Sequence, residues 1–241
     1  MYKTFTKEVT DRGLPRIVLQ VVDKIRSQGF TFLVAAAMFM VLTVGTGADA
    51  QGNTPSPTAP QELVEQTAKK MIDALKAEKA TIDKEPQRLY ELVNSIVLPH
   101  FDFEFMAKRV LGAHWRGASP DQRSHFTNEF RGLLVRTYAN SLNDYVDNSI
   151  NYLPARTEEG SDRVTVRSEV ARPGNQPLMV DYRLTRAGEG WKVYDVTIDG
   201  VSLVTNYRSS FFSEIDRGGL DALIKKLEAR NKQEVAKAPG S

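Results

Sequence analysis

Cysteine is absent from the 241 residues, which excludes disulfide bracing, thiol catalysis and thiolate-held metals. Histidine is scarce: His100, His114 and His125 lie 14 and 11 residues apart, too far for a helical H-x-x-x-H pair, so no metal or other cofactor is expected. Charge of one sign is lacking too. Lys plus Arg number 32 and Asp plus Glu 30, which leaves no basic surplus to suggest nucleic acid as a partner. No G-x-G-x-x-G, G-x-x-x-x-G-K-[ST] or G-x-S-x-G occurs, so nucleotide binding and serine hydrolysis have no loop to start from.

The uncharged run at residues 30–44 (FTFLVAAAMFMVLTV) is fifteen residues long, short of the ~20 that a membrane-spanning helix needs. Six bases (Lys3, Lys7, Arg12, Arg16, Lys24, Arg26) and three acids precede it, and Ala48-Asp49-Ala50 follows as an A-x-A site. This is the pattern of a secretory signal, residues 1–50, cleaved after Ala50. Left uncleaved, the segment would anchor a chain that still lies outside the cytoplasm. Its removal leaves 26 charges of each sign. Residues 51–60 (QGNTPSPTAP) read as a flexible spacer, residues 61–233 as a single domain, and residues 234–241 as a disordered tail.

Within the domain, Leu63, Val64, Ala68, Met71, Ile72 and Leu75 recur at helical spacing, and Leu89, Leu92, Val93, Ile96 and Val97 repeat the pattern after Pro86. Asp102 can cap a short helix that Gly112 stops. Ser119, Pro120 and Gln122 make a capping box for a long helix bearing Phe126, Phe130, Leu133, Leu134, Tyr138 and Leu142 on one side. From about Ser149 the period becomes 2: Ile150 and Tyr152; Val164, Val166 and Val170; Leu178, Val180, Tyr182 and Leu184; Tyr194, Val196 and Ile198. Short Gly/Pro/Asn turns link these segments, which predicts a four-stranded antiparallel meander with one apolar face. Helical spacing returns at Val201. The fold class is therefore α+β, a sheet covered on one face by amphipathic helices.

Chemistry-bearing groups are few. Asp181 and Asp195 fall on the polar face by parity, where solvated carboxylates are expected rather than an acid–base pair. Arg167, Arg172, Arg183, Arg186 and Lys192 fall on the outer face or edge, either as a positive strip for acidic partners or lipid head groups or, given the interspersed acids, as a mixed-charge solvated surface.

Three stretches carry a resemblance: residues 101–142, with F-D-x-x-x-M and L-G-x-x-W; residues 191–211, with G-V-S-L-V-x-N-Y-R-x-x-F; and the closing helix with Gly218-Gly219-Leu220 at its start. Together they resemble the MlaC family of periplasmic phospholipid-binding proteins, also called toluene-tolerance or ABC-transporter auxiliary proteins. The resemblance implies an NTF2-like half-cone with an apolar cavity between sheet and helices. It also implies a monomeric carrier, not an enzyme, that moves phospholipid between an outer-membrane lipoprotein complex and an inner-membrane ABC transporter with an MCE-domain subunit. The lipid-binding candidates are then Phe130, Leu134 and Tyr138 on the long helix, Val164, Val166, Val180, Tyr182, Val196 and Ile198 on the strands, and Val201 and Val204 after them. Arg208 is a candidate for the head group or for an ion pair with Asp199. Two other readings stay open: an NTF2-like small-molecule enzyme, and an envelope adaptor without a ligand.

When the full chain is exported from a Gram-negative host, its intact mass should correspond to a mature protein beginning at Gln51. A mass that retains residues 1–50 would show an uncleaved anchor instead.

Overall fold

The computed structural model describes residues 59–157 and 162–236; the expected signal segment and residues 51–58 of the spacer lie outside these. Helix α1 (Ala59–Ala77) buries Val64, Met71 and Leu75 on one stripe. After α2 (Lys79–Lys84), α3 (Gln87–Leu92) starts behind Pro86, whose ring pre-sets the φ of a first helical turn. It loosens into a π-helical turn at Val93–Val97 and ends in a 3₁₀ turn at Leu98–His100, where Pro99 has no N–H to continue the ladder.

Helix α4 (Phe103–Leu111) is capped as expected: the Asp102 carboxylate accepts from the Phe105 N–H at 2.9 Å. Gly112 stops it at φ +52°, and a Cβ there would sit 3.0 Å from both Arg208 Nη2 and Phe212 Cζ, so conformation and space both require glycine. A short α5 (Ala113–Gly117) leads to α6 (Pro120–Asp144), opened by the Ser119/Gln122 capping box. Burial along α6 ends at Ala139, and Leu142, expected on the apolar side, is exposed because the helix overruns the layer that covers it.

Strands β1 (Ile150–Thr157), β2 (Arg163–Val170), β3 (Leu178–Ala187), β4 (Gly190–Ile198) and β5 (Val201–Ser202) form one antiparallel sheet in chain order. The fifth strand goes beyond the expected four. At two residues it is too short to show a period, and it exists because Asp199 (φ +47°) and Gly200 (φ +85°) turn the chain so that Val201 pairs with Ile198. Helix α7 (Leu203–Ala236) closes the chain, broken at Gly219 (φ +79°), and reaches into the stretch expected as a tail. No helix among the described residues is long and apolar enough to cross a membrane.

The register of β4 differs from strict alternation. Arg183 pairs with Asp195 but Leu184 pairs with Val193, so Tyr194 is a bulged extra residue. Tyr194 therefore leaves the Val196/Ile198 face and joins the helices, where its ring meets Phe105 edge-on at 5.3 Å and the Arg109 guanidinium at 5.2 Å. Simple period-2 counting missed this because one inserted residue inverts the parity of everything before it.

Asp195 is also not a solvated carboxylate. It is 2% exposed and accepts from the Ser202 hydroxyl at 2.6 Å and the Val204 N–H at 3.1 Å, with Arg183 Nη1 at 3.4 Å. Ser202 Oγ in turn accepts from the Thr205 N–H at 3.1 Å. Ser202 is thus the N-cap of α7, and Asp195 is a second cap reaching across from β4. Asp195→Ala should destabilise the fold by about 2–4 kcal/mol, since it strands a buried helix N–H and a hydroxyl. Thermal unfolding followed by circular dichroism checks this, and a loss under about 0.5 kcal/mol, the range of ordinary surface changes, would contradict it.

Candidate functional site

Three cross-strand rows build one face of the sheet. Tyr152, Ser168, Val180, Ile198 and Val201 are partners in sequence across all five strands. Val166, Tyr182 and Val196 form the second row, and Val164, Leu184 and Val193 the third. Every strand residue expected to line a lipid site, together with Val201, is on this face. The expectation missed Tyr152 and Ser168. Tyr152 shares the period of Ile150 and was legible; Ser168 was not, because its polarity disguised a position that is 1% exposed, where its hydroxyl donates to the Val180 carbonyl at 3.0 Å.

The three expected α6 residues separate. Phe130 is fully buried in the core that the helices share with Tyr194, stacked on Phe126 with ring centroids 5.8 Å apart and edge-on to Tyr207 at 5.4 Å. Leu134 and Val204 share that core, with Met106, Val110 and Phe211. Tyr138, one turn beyond Leu134, touches both the helix core and the strand cluster. At the start of α7 it is Leu203 rather than Val204 that packs against the strands, because the period changes to 3.6 there. The strand cluster also receives Leu63 and Val64 from α1, and Phe101.

Arg208 is exposed on the outer side of α7, with its guanidinium 5.1 Å from the Phe212 ring and against Gly112. It does not pair with Asp199, whose carboxylate accepts from the Met179 N–H at 3.1 Å while its own N–H donates to the Met179 carbonyl at 2.9 Å. That exchange holds the β4–β5 turn. The three histidines stay apart: among the described residues no three His, Asp or Glu side chains converge as metal ligands.

The strand cluster is centred on Val166 and Leu184, which have no accessible surface. The helix core holds six side chains with no accessible surface, Met106, Ala107, Val110, Leu111, Phe126 and Phe130. Around the strand cluster, Tyr138, Tyr145, Ile150, Tyr152, Tyr182 and Ile198 all keep part of theirs. Helix α6 packs mainly on α7, α4 and α3 and reaches the strand cluster through Tyr138, while α1, α4 and the start of α7 also pack against the strands. Yet the tyrosines are deep: desolvation pushes the hydroxyl pKa of Tyr138, Tyr152 and Tyr182 above the ordinary phenol value, Tyr138 also feeling the Tyr207 hydroxyl and Tyr152 the Tyr182 hydroxyl. They form the half-buried margin of the apolar sheet face.

An open five-stranded antiparallel sheet with one apolar face packed against helices defines an α+β protein, and comparison with known proteins sharpens the class. A model of the MlaC protein family matches residues 65–229. The "intermembrane phospholipid transport system binding protein MlaC" of Haemophilus influenzae is 25% identical over 181 residues, covering 74% of this chain and 85% of that protein. The "toluene tolerance protein ttg2D" of Pseudomonas putida is 29% identical over 190 residues, 78% of this chain and 83% of that one. A phospholipid-binding protein of Ralstonia solanacearum, solved in complex with a phospholipid, superposes with a TM-score of 0.68 at 31% identity, covering 74% of this chain and 99% of that one. The chain belongs to the MlaC family.

The Gly112 contact generates a prediction at the motif itself. Gly112→Val should lower the thermal midpoint by several degrees, since a side chain at φ +52° is strained and displaces Arg208 and Phe212. An unchanged midpoint in differential scanning calorimetry would show that the L-G-x-x-W turn tolerates a side chain.

Proposed function

We propose that this protein is a periplasmic phospholipid carrier whose acyl chains lie in the cleft between the sheet face and Tyr138 of α6. In this reading it shuttles phospholipid between an outer-membrane lipoprotein complex and an inner-membrane MCE/ABC transporter, maintaining outer-membrane lipid asymmetry. The observation that carries it is the apolar sheet face of three cross-strand rows, on which Tyr152 and Tyr182 are deep in the protein yet keep part of their surface accessible. Energetics favour the same reading. A bare acyl chain costs ~0.8 kcal/mol per CH₂, so a sixteen-carbon chain costs about 12 kcal/mol to hold in water. A carrier must bury that length on apolar walls, and the three rows contain Ser168 and two tyrosine hydroxyls but no carboxylate that acid–base catalysis would use. The phospholipid in the Ralstonia relative supports the ligand class, and the names of the Haemophilus and Pseudomonas relatives support the pathway.

Native mass spectrometry of the exported protein, purified without detergent, should show a discrete mass excess that lipid extraction resolves into diacyl phospholipid. Val201→Glu, which puts a charge at the end of the longest row, should give a folded protein with less than about a tenth of that lipid. An apo mass that persists after incubation with phospholipid vesicles would overturn the carrier reading. A folded Val201→Glu protein with full lipid would remove Val201 from the wall.

A further inference from the structure

One hydroxyl on the apolar sheet face has a proton to give and nothing to give it to. Tyr152 of β1 lies directly opposite Ser168 of β2, and Tyr182 of β3 is the diagonal neighbour of Ser168, since Ser168 pairs with Val180 and Val166 with Tyr182. Register therefore gathers three hydroxyls on rows otherwise made of Val, Leu and Ile. Their protons differ in fate. Ser168 donates to the Val180 carbonyl at 3.0 Å, so toward the Tyr182 hydroxyl that meets it Ser168 can only accept. The Tyr152 hydroxyl forms no hydrogen bond among the described residues.

Tyr152 is nonetheless not a surface phenol. It is half-buried and packs, like Leu63 of α1, against the strand cluster. Desolvation is the largest influence pushing its pKa up, followed by the Tyr182 hydroxyl and the Glu65 carboxylate of α1. Its oxygen is also not sealed in, as the buried and partnerless Thr197 Oγ1 and Tyr207 Oη are. A donor withdrawn from bulk water, reachable and unpaired carries a cost that an incoming acceptor removes. The nearby charge selects the acceptor. Glu65, whose Oε1 accepts from Gln61 Nε2 at 2.8 Å, brings a carboxylate beside the phenol, which repels a phosphate there and leaves a neutral oxygen as the fitting partner.

We propose that Tyr152 reads the acyl ester of a bound lipid, donating its hydroxyl proton to the carbonyl oxygen from which an acyl chain starts. This rests on the carrier reading and deepens it: the ligand is an ester-linked lipid with its chain on the valine rows, and not any apolar molecule of the same length. The ester carbonyl is the polar acceptor nearest to the chain, and it loses its water when the chain leaves the membrane.

The test offers the exported protein vesicles of an equimolar mixture of a diester phosphatidylethanolamine and its dialkyl ether analogue with chains of the same length, and reads the two retained lipids by native mass spectrometry. The ester should be enriched about threefold to tenfold over the ether, the worth of one neutral hydrogen bond. In Tyr152→Phe, which keeps the ring and breaks no hydrogen bond within the protein, ether uptake should be unchanged and the enrichment should vanish. Retention of both lipids in the vesicle ratio by the unaltered protein, or an enrichment that survives in Tyr152→Phe, would overturn the role of Tyr152 and leave the carrier reading standing. Retention of neither lipid would overturn the carrier reading and the role of Tyr152 with it.

Discussion

The structure depends on how the N-terminus of α7 is satisfied inside the protein. A helix that begins in the interior brings backbone N–H groups with no intrahelical partner, and leaving them bare would cost as much as several lost hydrogen bonds. Here a carboxylate from the neighbouring strand and a serine at the cap share the task, Asp195 taking the Val204 N–H and Ser202 the Thr205 N–H. Because the Ser202 hydroxyl donates to Asp195 in turn, strand, turn and helix form one hydrogen-bonded joint. This joint fixes the direction in which α7 leaves the sheet and therefore where Tyr207 and Phe211 arrive.

Those two rings complete an aromatic stack with Phe126 and Phe130 that ties α7 to α6, with centroid separations of 5.4–6.1 Å. Edge-to-face packing of this kind is tight and specific. Its consequence is a helix layer that holds together without leaning on the strands. The bulge at Tyr194 ties the layers together: it sends one strand side chain into the helix core and so joins the two at β4.

The sequence made much of this legible. The caps at Asp102 and Ser119, the stop at Gly112 and the change of period near Ser149 are local signals, set by residues close together in the chain, and each stands where the pattern places it. Parity along the strands was enough to put Val164, Val166, Val180, Tyr182, Val196 and Ile198 on one face. What was not legible required knowledge of partners. Nothing in the spacing of Phe130 and Leu134 tells whether their stripe meets strands or another helix, and an acid at Asp195 looks solvated until the helix it caps is in place. The bulge is a third case, since an extra residue is visible only against the strand it pairs with.

The two cores thus divide two demands that conflict in a single one. Stability asks for closely packed interiors, in which each lost contact is felt. Capacity for an apolar ligand asks for walls that are apolar but incompletely covered, and such walls forgo contacts that would otherwise stabilise the protein. A chain without disulfides cannot offset that loss by covalent bracing. Concentrating the tight packing in the helix layer, between α4, α6 and α7, lets the sheet face stay open. Tyrosines suit the boundary because each presents an apolar ring to the cleft and a hydroxyl that can find a polar neighbour at its rim. Where the helix core sits is set in turn by the joint at Asp195, which fixes the direction in which α7 leaves the sheet.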